Sequence, residues 1–269
     1  MTDISKQRLD VALVERGLAK SREKAKALIA EGFVTVNGKT ADKASKEILD
    51  TDAVLLTGEL AYVGRGGKKL EKALSAFNVS PEGKTCLDIG ASTGGFTDCM
   101  LRNGAKLVYA VDVGSGQLDP DLAADPAVIN MEKTDVRVLD ASALSGGLPG
   151  LVTIDVSFIS LTKILPCLKG IMGEDADVLA LLKPQFEAGK TKKGIVSSPD
   201  IHTEVIENIL TFAALNGFCV MGLDHSPVKG GDGNIEFLLH LRMGDKGREY
   251  TRRDIKEAVK NAHAALKKH

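Results

Sequence analysis

Residues 85–96 read Thr85-Cys86-Leu87-Asp88-Ile89-Gly90-Ala91-Ser92-Thr93-Gly94-Gly95-Phe96. Five residues of strand character end at Ile89, a glycine-rich turn follows, and a helix is predicted to begin at Gly94-Gly95. A strand passed to a helix through a glycine turn starts an open α/β sheet, whose ligands bind beyond the carboxyl ends of the strands. Downstream, apolar runs predict strands over 107–111, 128–131, 151–155, 178–183, 218–223 and 235–241, with helical patterns between most of them. The expected architecture is α/β: a seven-stranded, mostly parallel sheet with an antiparallel last strand and helices on both faces. A final helix over 252–266 places Ile255, Ala258, Val259 and Ala262 on one face. No period of 20–50 residues recurs, which excludes a solenoid.

Upstream the pattern differs. Leu9, Leu13 and Val14, then Ala25, Leu28 and Ile29, recur at helical spacing, with Gly17 and Gly32 as helix ends and Ser21 as a cap. Val34 and Val36 alternate before Asn37-Gly38, a hairpin signal, and a further short strand covers 53–56. This predicts a small α+β domain over residues 1–59, joined through a linker at 60–67 to a second domain that runs to residue 269. A chain of 269 residues, 43% hydrophobic and 26% charged, suits two folded domains and excludes a mostly disordered one. Apolar runs such as 178–182 fall short of the ~20 residues that span a membrane, and the N-terminus shows no apolar leader segment. Cys86, Cys99, Cys167 and Cys219 are too scattered for a metal site and read as isolated thiols in a reducing cytoplasm.

The turn after Ile89 departs from the G-x-G-x-x-G pattern, because Ser92 stands at its second glycine. That pattern serves cofactors whose pyrophosphate needs close backbone approach and a helix N-terminus. S-adenosyl-L-methionine has no phosphate and carries a cationic amino-acid end. Asp88 offers that end a carboxylate, and Asp112, in Val111-Asp112-Val113, is placed for both ribose hydroxyls. The candidate cofactor residues are therefore Asp88, Gly90, Ala91, Ser92, Thr93, Gly94, Gly95, Phe96, Asp112 and Val113. A plain tight turn is the simpler alternative.

Three charged residues sit where strands should be purely apolar: Asp155, Lys183 and Glu236. If the last strand runs antiparallel, its start lies at the same edge as its neighbours' ends, and the three converge beside the turn. A lysine between two carboxylates is physically reasonable in a buried setting. The alternative is that each is a strand-end charge reaching water. A fourth candidate, Lys69, follows Arg65-Gly66-Gly67 in the first turn of a helix with Leu70, Ala73, Leu74 and Phe77 on its apolar face.

The segment Leu9-Asp10…Ser21-Arg22…Ala25…Ile29…Gly32…Val34…Val36-Asn37-Gly38 resembles the S4 RNA-binding domain. That resemblance implies Arg8, Lys20, Arg22 and Lys26 as phosphate contacts. Arg65-Gly66-Gly67-Lys68-Lys69-Leu70, Asp88 to Phe96, Asp155-Val156-Ser157-Phe158, Lys183-Pro184-Gln185-Phe186-Glu187 and Gly233-Asn234-Ile235-Glu236 together resemble the TlyA family. These are S4 domains fused to a Rossmann-like, FtsJ-like ribose 2′-O-methyltransferase, often labelled haemolysins. The resemblance implies S-adenosyl-L-methionine as cofactor, a cytidine in ribosomal RNA as target, and a catalytic tetrad of Lys69, Asp155, Lys183 and Glu236. Lys68 competes for the first position, and spacing to Leu70 favours Lys69. Family members more often carry serine where Gly64 stands, a departure confined to the linker.

The net charge of −1 hides local patterning. Residues 6–26 hold seven basic groups against three acids, and phosphates respond to local potential. Arg65 and the loop lysines Lys190, Lys192 and Lys193 extend the predicted RNA-binding set, with a surface loop free of contacts as the alternative for 189–194. The C-terminal Arg252, Arg253, Lys256, Lys260, Lys267 and Lys268 either add phosphate contacts or form a solvated face. The expected partner is ribosomal RNA or a ribosomal subunit, with no metal and no membrane. Rival readings are a membrane-active haemolysin and a non-catalytic ribosome-binding factor.

Overall fold

A computed structural model describes residues 6–189 and 194–267 of the chain. The predicted RNA contacts Lys190, Lys192 and Lys193, together with Lys268, lie outside the described residues. The chain divides into two units, Met1–Arg65 and Gly66–His269.

In the first unit, β1 (Lys6–Arg8) leads into α1 (Leu9–Glu15), and α2 (Arg22–Ala30) follows. The Ser21 hydroxyl accepts from Lys24 N at 3.2 Å, satisfying one of the amides that a helix start leaves unpaired. Next come β2 (Val34–Val36), β3 (Lys39–Thr40), β4 (Glu47–Leu49) and β5 (Val54–Leu56). Asn37 and Gly38 both adopt positive φ, 51° and 76°, as a two-residue hairpin turn requires. β2 lies between β3 and β5, while β1 pairs with β4. Leu9, Leu13, Ala25, Leu28, Ile29, Val34 and Ile48 form this unit's own core.

The second unit opens with α3 (Gly66–Phe77), β6 (Thr85–Ile89), α4 (Gly95–Arg102), β7 (Leu107–Val111), α5 (Pro120–Ala123) and β8 (Val128–Met131). It continues with β9 (Leu151–Ile154), β10 (Asp177–Leu182), α6 (Pro184–Glu187), α7 (Pro199–Leu215), β11 (Phe218–His225), β12 (Phe237–Met243) and α8 (Arg252–Leu266). The sheet order is β11-β12-β10-β9-β6-β7-β8. Strands β6 to β10 pair in parallel, and β12 runs antiparallel to both of its neighbours. Every residue of β10 is buried, and after Asp177 it reads as a continuous apolar run, residues 178–182. On one face Leu87, Ile89, Val152, Ile154, Leu182 and Phe237 pack with Val205, Ile206 and Ile209 of α7 and Ile255 and Val259 of α8. On the other, Leu70 and Ala73 of α3 and Phe96 of α4 meet Leu179, Leu181 and Leu238.

The strand ends differ slightly from expectation. β9 stops at Ile154 and β10 at Leu182, while β12 starts at Phe237. Asp155, Lys183 and Glu236 therefore lie just outside the ladder, where backbone direction is freed for side-chain placement. At the opposite sheet edge Asp177 is buried, which alone would raise its pKa. Bonds from His240 Nε2 (2.8 Å), Arg242 Nε (2.7 Å) and Lys84 Nζ (3.0 Å) hold it well below the usual carboxylate range instead. Among the described residues, no helix is long and apolar enough to cross a membrane.

Candidate active site

The turn after β6 works because two of its positions lack a side chain. Gly90 has φ +85°, and a Cβ there would run into the backbone carbonyl of Asp155 on the neighbouring strand exit. Gly94 has φ +95°, and its missing Cβ leaves space that Leu118 and Leu122 fill. Gly90 N and Ala91 N both donate to Val111 O, binding the turn to the end of β7. The outcome is a cleft of about 620 Å³ beyond the ends of β6, β7 and β9. Its lining includes Gly90, Ser92, Asp112 and Val113 from the predicted cofactor set, and also Asp135, Asp155 and Ser157. Asp112 Oδ2 accepts from Ser92 N at 2.9 Å and Oδ1 from Gly114 N at 2.7 Å. The carboxylate is thus oriented and keeps lone pairs for a ligand.

Six members of the predicted cofactor set take a different place. Ala91, Thr93, Gly94, Gly95 and Phe96 shape the turn and its helix behind the cleft wall, and Phe96 packs against Leu70 and Ala73. Asp88, expected to face a cationic ligand, is 1% exposed and lies beneath the turn. Strand alternation explains this, since Asp88 points to the α4 face while Leu87 and Ile89 point to the other. Thr97 Oγ1 and Thr153 Oγ1 donate to its two oxygens at 2.7 and 3.0 Å. Burial nevertheless pushes its carboxyl up to about 7, against the lowering effect of the two hydroxyls.

At the adjoining rim the four predicted tetrad residues form two ion pairs. Lys69 Nζ donates to Glu236 Oε2 at 2.7 Å, with Lys69 8% and Glu236 2% exposed. Lys183 Nζ lies 2.5 Å from Asp155 Oδ1 and directs a hydrogen bond to Ser157 Oγ at 3.1 Å. Register makes the pairs neighbours. Leu182 pairs with Phe237 across the antiparallel ladder, so Lys183 and Glu236 leave adjacent strand ends at one edge. Asp155 leaves β9, the other neighbour of β10, at the same edge. Buried lysines cost free energy unless a carboxylate compensates, and each of these has one. Helix α3 buries Lys69 with Leu70 and leaves Lys68 more exposed, which separates the two candidates.

Sequence reading missed several groups around this rim. Phe158 is 91% exposed with φ +65°, a conformation that bulky residues rarely adopt, and its ring sits 5.0 Å from that of Phe186. Only the aromatic letters in the two motifs hinted at this pair. Glu187 accepts from Ser160 Oγ at 2.5 Å and Leu161 N at 2.8 Å, tying the α6 turn to the segment after β9. Burial raises its pKa despite these donors.

The basic groups of the first unit are also more constrained than their spacing suggested. Asp10 is 0% exposed and holds Arg8 Nε and Arg22 Nη2, each at 2.9 Å. Both guanidiniums stay about half exposed, at 46% and 51% of their side chains. Lys26 is exposed 3.8 Å from Glu23, Lys20 is exposed, and Arg65 is half-buried. Arg16, outside the predicted set, donates to the carbonyls of Asp52 and Leu49 and so serves the fold.

Comparison with known proteins gives two family matches. The FtsJ-like methyltransferase family matches residues 62–243, and the S4 domain matches residues 7–54. YqxC of Bacillus subtilis is 50% identical over 270 residues, covering 97% of this chain and 96% of its own length. The 16S/23S rRNA (cytidine-2′-O)-methyltransferase TlyA of Mycobacterium tuberculosis is 42% identical, covering 95% of this chain and 96% of its own. A solved structure from Streptococcus thermophilus, titled with the hemolysin name, is 49% identical with a TM-score of 0.80 and covers 98% of both chains.

Proposed function

We propose a function from one premise: this chain belongs to the FtsJ-like methyltransferase family, with an S4 domain ahead of the methyltransferase region. It transfers a methyl group from S-adenosyl-L-methionine to a ribose 2′-hydroxyl of ribosomal RNA in the cytoplasm, and the target nucleotide is a cytidine. The mycobacterial relative's name carries the choice of cytidine and of ribosomal RNA. Residues 1–59 grip RNA and residues 60–269 perform the chemistry. An RNA target agrees with the reaction, because DNA has no 2′-hydroxyl.

The observation that carries this reading is the meeting of two buried lysine–carboxylate pairs at the rim onto which the 620 Å³ cleft opens. The cleft fits the cofactor: it has the volume of a small-molecule site, an oriented carboxylate at Asp112, and a wall where Gly90 lets the turn approach the Asp155 backbone closely. Bound there, S-adenosyl-L-methionine supplies an electrophilic methyl group on a positively charged sulfur.

The protein's own groups do the rest. Lys183 is the base: as the neutral amine it takes the proton from the attacking hydroxyl, and the ammonium so formed is the charge that pairs with Asp155. Asp155 and Ser157 hold its nitrogen in place through the contacts at 2.5 and 3.1 Å. Lys69, held by Glu236, faces the negative charge that develops on the ribose oxygen. Fixing oxygen and methyl in line is worth roughly 7–11 kcal/mol of the barrier. The exposed Phe158 offers an apolar ring face to a nucleobase beside the reacting ribose.

Lys183→Ala is expected to abolish methyl transfer while calorimetry with S-adenosyl-L-methionine and filter binding of ribosomal RNA return wild-type affinities. Normal turnover by that variant would remove Lys183 from the chemistry.

A further inference from the structure

One wall of the cleft is a loop, residues 114–118, that no regular element supports. Gln117 lines the cleft from this loop, and Thr134 and Asp135 line it from the segment after β8. Three of its backbone amides are held by one side chain from outside, that of Glu132, the first residue after β8. Glu132 Oε2 accepts from Gly116 N at 2.7 Å. Glu132 Oε1 accepts from Gln117 N at 2.7 Å and from Leu118 N at 3.1 Å. Three consecutive amides converging on one carboxylate make an anion nest that the chain fills with its own side chain. These amides hold the Glu132 carboxyl below its usual value, so it is charged at neutral pH.

The nest reaches the cleft from both ends of the loop. At one end Gly114 N donates to Asp112 Oδ1 and Lys133 N to Gly114 O, at 2.7 and 2.8 Å. The loop is thereby tied to the oriented carboxylate and to Glu132's own neighbour. At the other end Leu118 fills the space over Gly94, and Asp119 N donates to Thr93 O at 3.2 Å. Gly116 sits at φ +65°, a backbone shape that curls the three amides to one side. Glu132 thus gathers the middle of the loop, while Asp112, Leu118 and Asp119 tie its ends to the glycine turn.

We infer that Glu132 is a positioning residue for the cofactor: by gathering the amides of Gly116, Gln117 and Leu118 it fixes the wall against which the adenosine portion rests. This rests on the reading above that the cleft receives S-adenosyl-L-methionine. Glu132 has no part in proton transfer, so its removal weakens cofactor capture and leaves the chemical step intact.

The test is Glu132→Gln in the full chain. The amide keeps the shape but turns one acceptor into a donor that faces an N–H. Calorimetry with S-adenosyl-L-methionine and with S-adenosylhomocysteine should show affinity about tenfold weaker, the loss of roughly one charge-assisted hydrogen bond. KM for the methyl donor should rise equally, with kcat at saturation and RNA affinity unchanged. Hydrogen exchange at the three amides should quicken in the variant. Wild-type cofactor affinity in the variant would overturn the inference, as would a fall in kcat at unchanged KM. If Glu132→Gln fails to fold, Glu132→Asp, which keeps the charge one methylene short, should show the same KM-only effect in smaller measure. Absence of cofactor heat with the wild-type protein would overturn the functional reading and this inference with it.

Discussion

Asp88 shows how one residue can be chemically conspicuous and yet lie outside the lining of the cleft. Its letter sits at the end of the first strand, where a charged side chain invites a binding role. Its side chain instead lies under the turn, between Thr97 and Thr153. Burial raises its pKa from 3.8 to about 7, so folding disfavours its ionised form. The penalty is absent below pH 3.8, grows as pH rises, and is complete above about 7. Asp88→Asn should therefore gain melting temperature relative to wild type on going from pH 5 to pH 8; a constant difference would contradict the assigned cause. Other residues were read more directly. Lys183 and Asp155 stood out because charges interrupt apolar runs, and burial on α3 separates Lys69 from Lys68. Phe158 and Glu132 were illegible, because a positive φ or a nest of amides leaves no spacing pattern. Arg8 and Arg22 were legible as cations, but the buried Asp10 that holds both of them was not.

Elements were easier to foresee than the contacts between them. Strand alternation and continuous apolar runs marked all seven strands of the large sheet, and errors were confined to one or two residues at the ends of four of them. What no run of letters conveys is how near two elements approach. The turn after β6 lies so close to the exit of β9 that Gly90 has no room for a methyl group. Gly90→Ala adds that group at a left-handed φ, so either the turn or Asp155 must shift. The expected cost is about 1–3 kcal/mol of stability, read from the denaturant midpoint. Because Asp155 carries the contact to Lys183, methyl transfer should fall further than stability alone explains, even in samples fully folded at the assay temperature. A variant with wild-type kcat would show that the approach is slack.

For the molecule as a whole, each unit holds its own apolar core, one built on Leu9, Leu13 and Ile48 and the other on both faces of the seven-stranded sheet. Residues 66–269 alone should therefore keep S-adenosyl-L-methionine affinity, lose much of their RNA affinity, and show a shallower dependence of RNA binding on salt. An unchanged salt slope would deny the first unit its role. The antiparallel last strand was expected and is β12, whereas the order of the strands was not legible in the apolar runs. That direction has a further consequence. Because β12 reverses, residues 226–236 form a hairpin connection at the edge that carries Glu236, braced at its base by Ser226 N on Glu236 O at 2.9 Å. Its tip, Gly231 to Gly233, is exposed. New residues spliced into that tip would meet an approaching nucleic acid without shifting a helix or breaking a rung of the ladder.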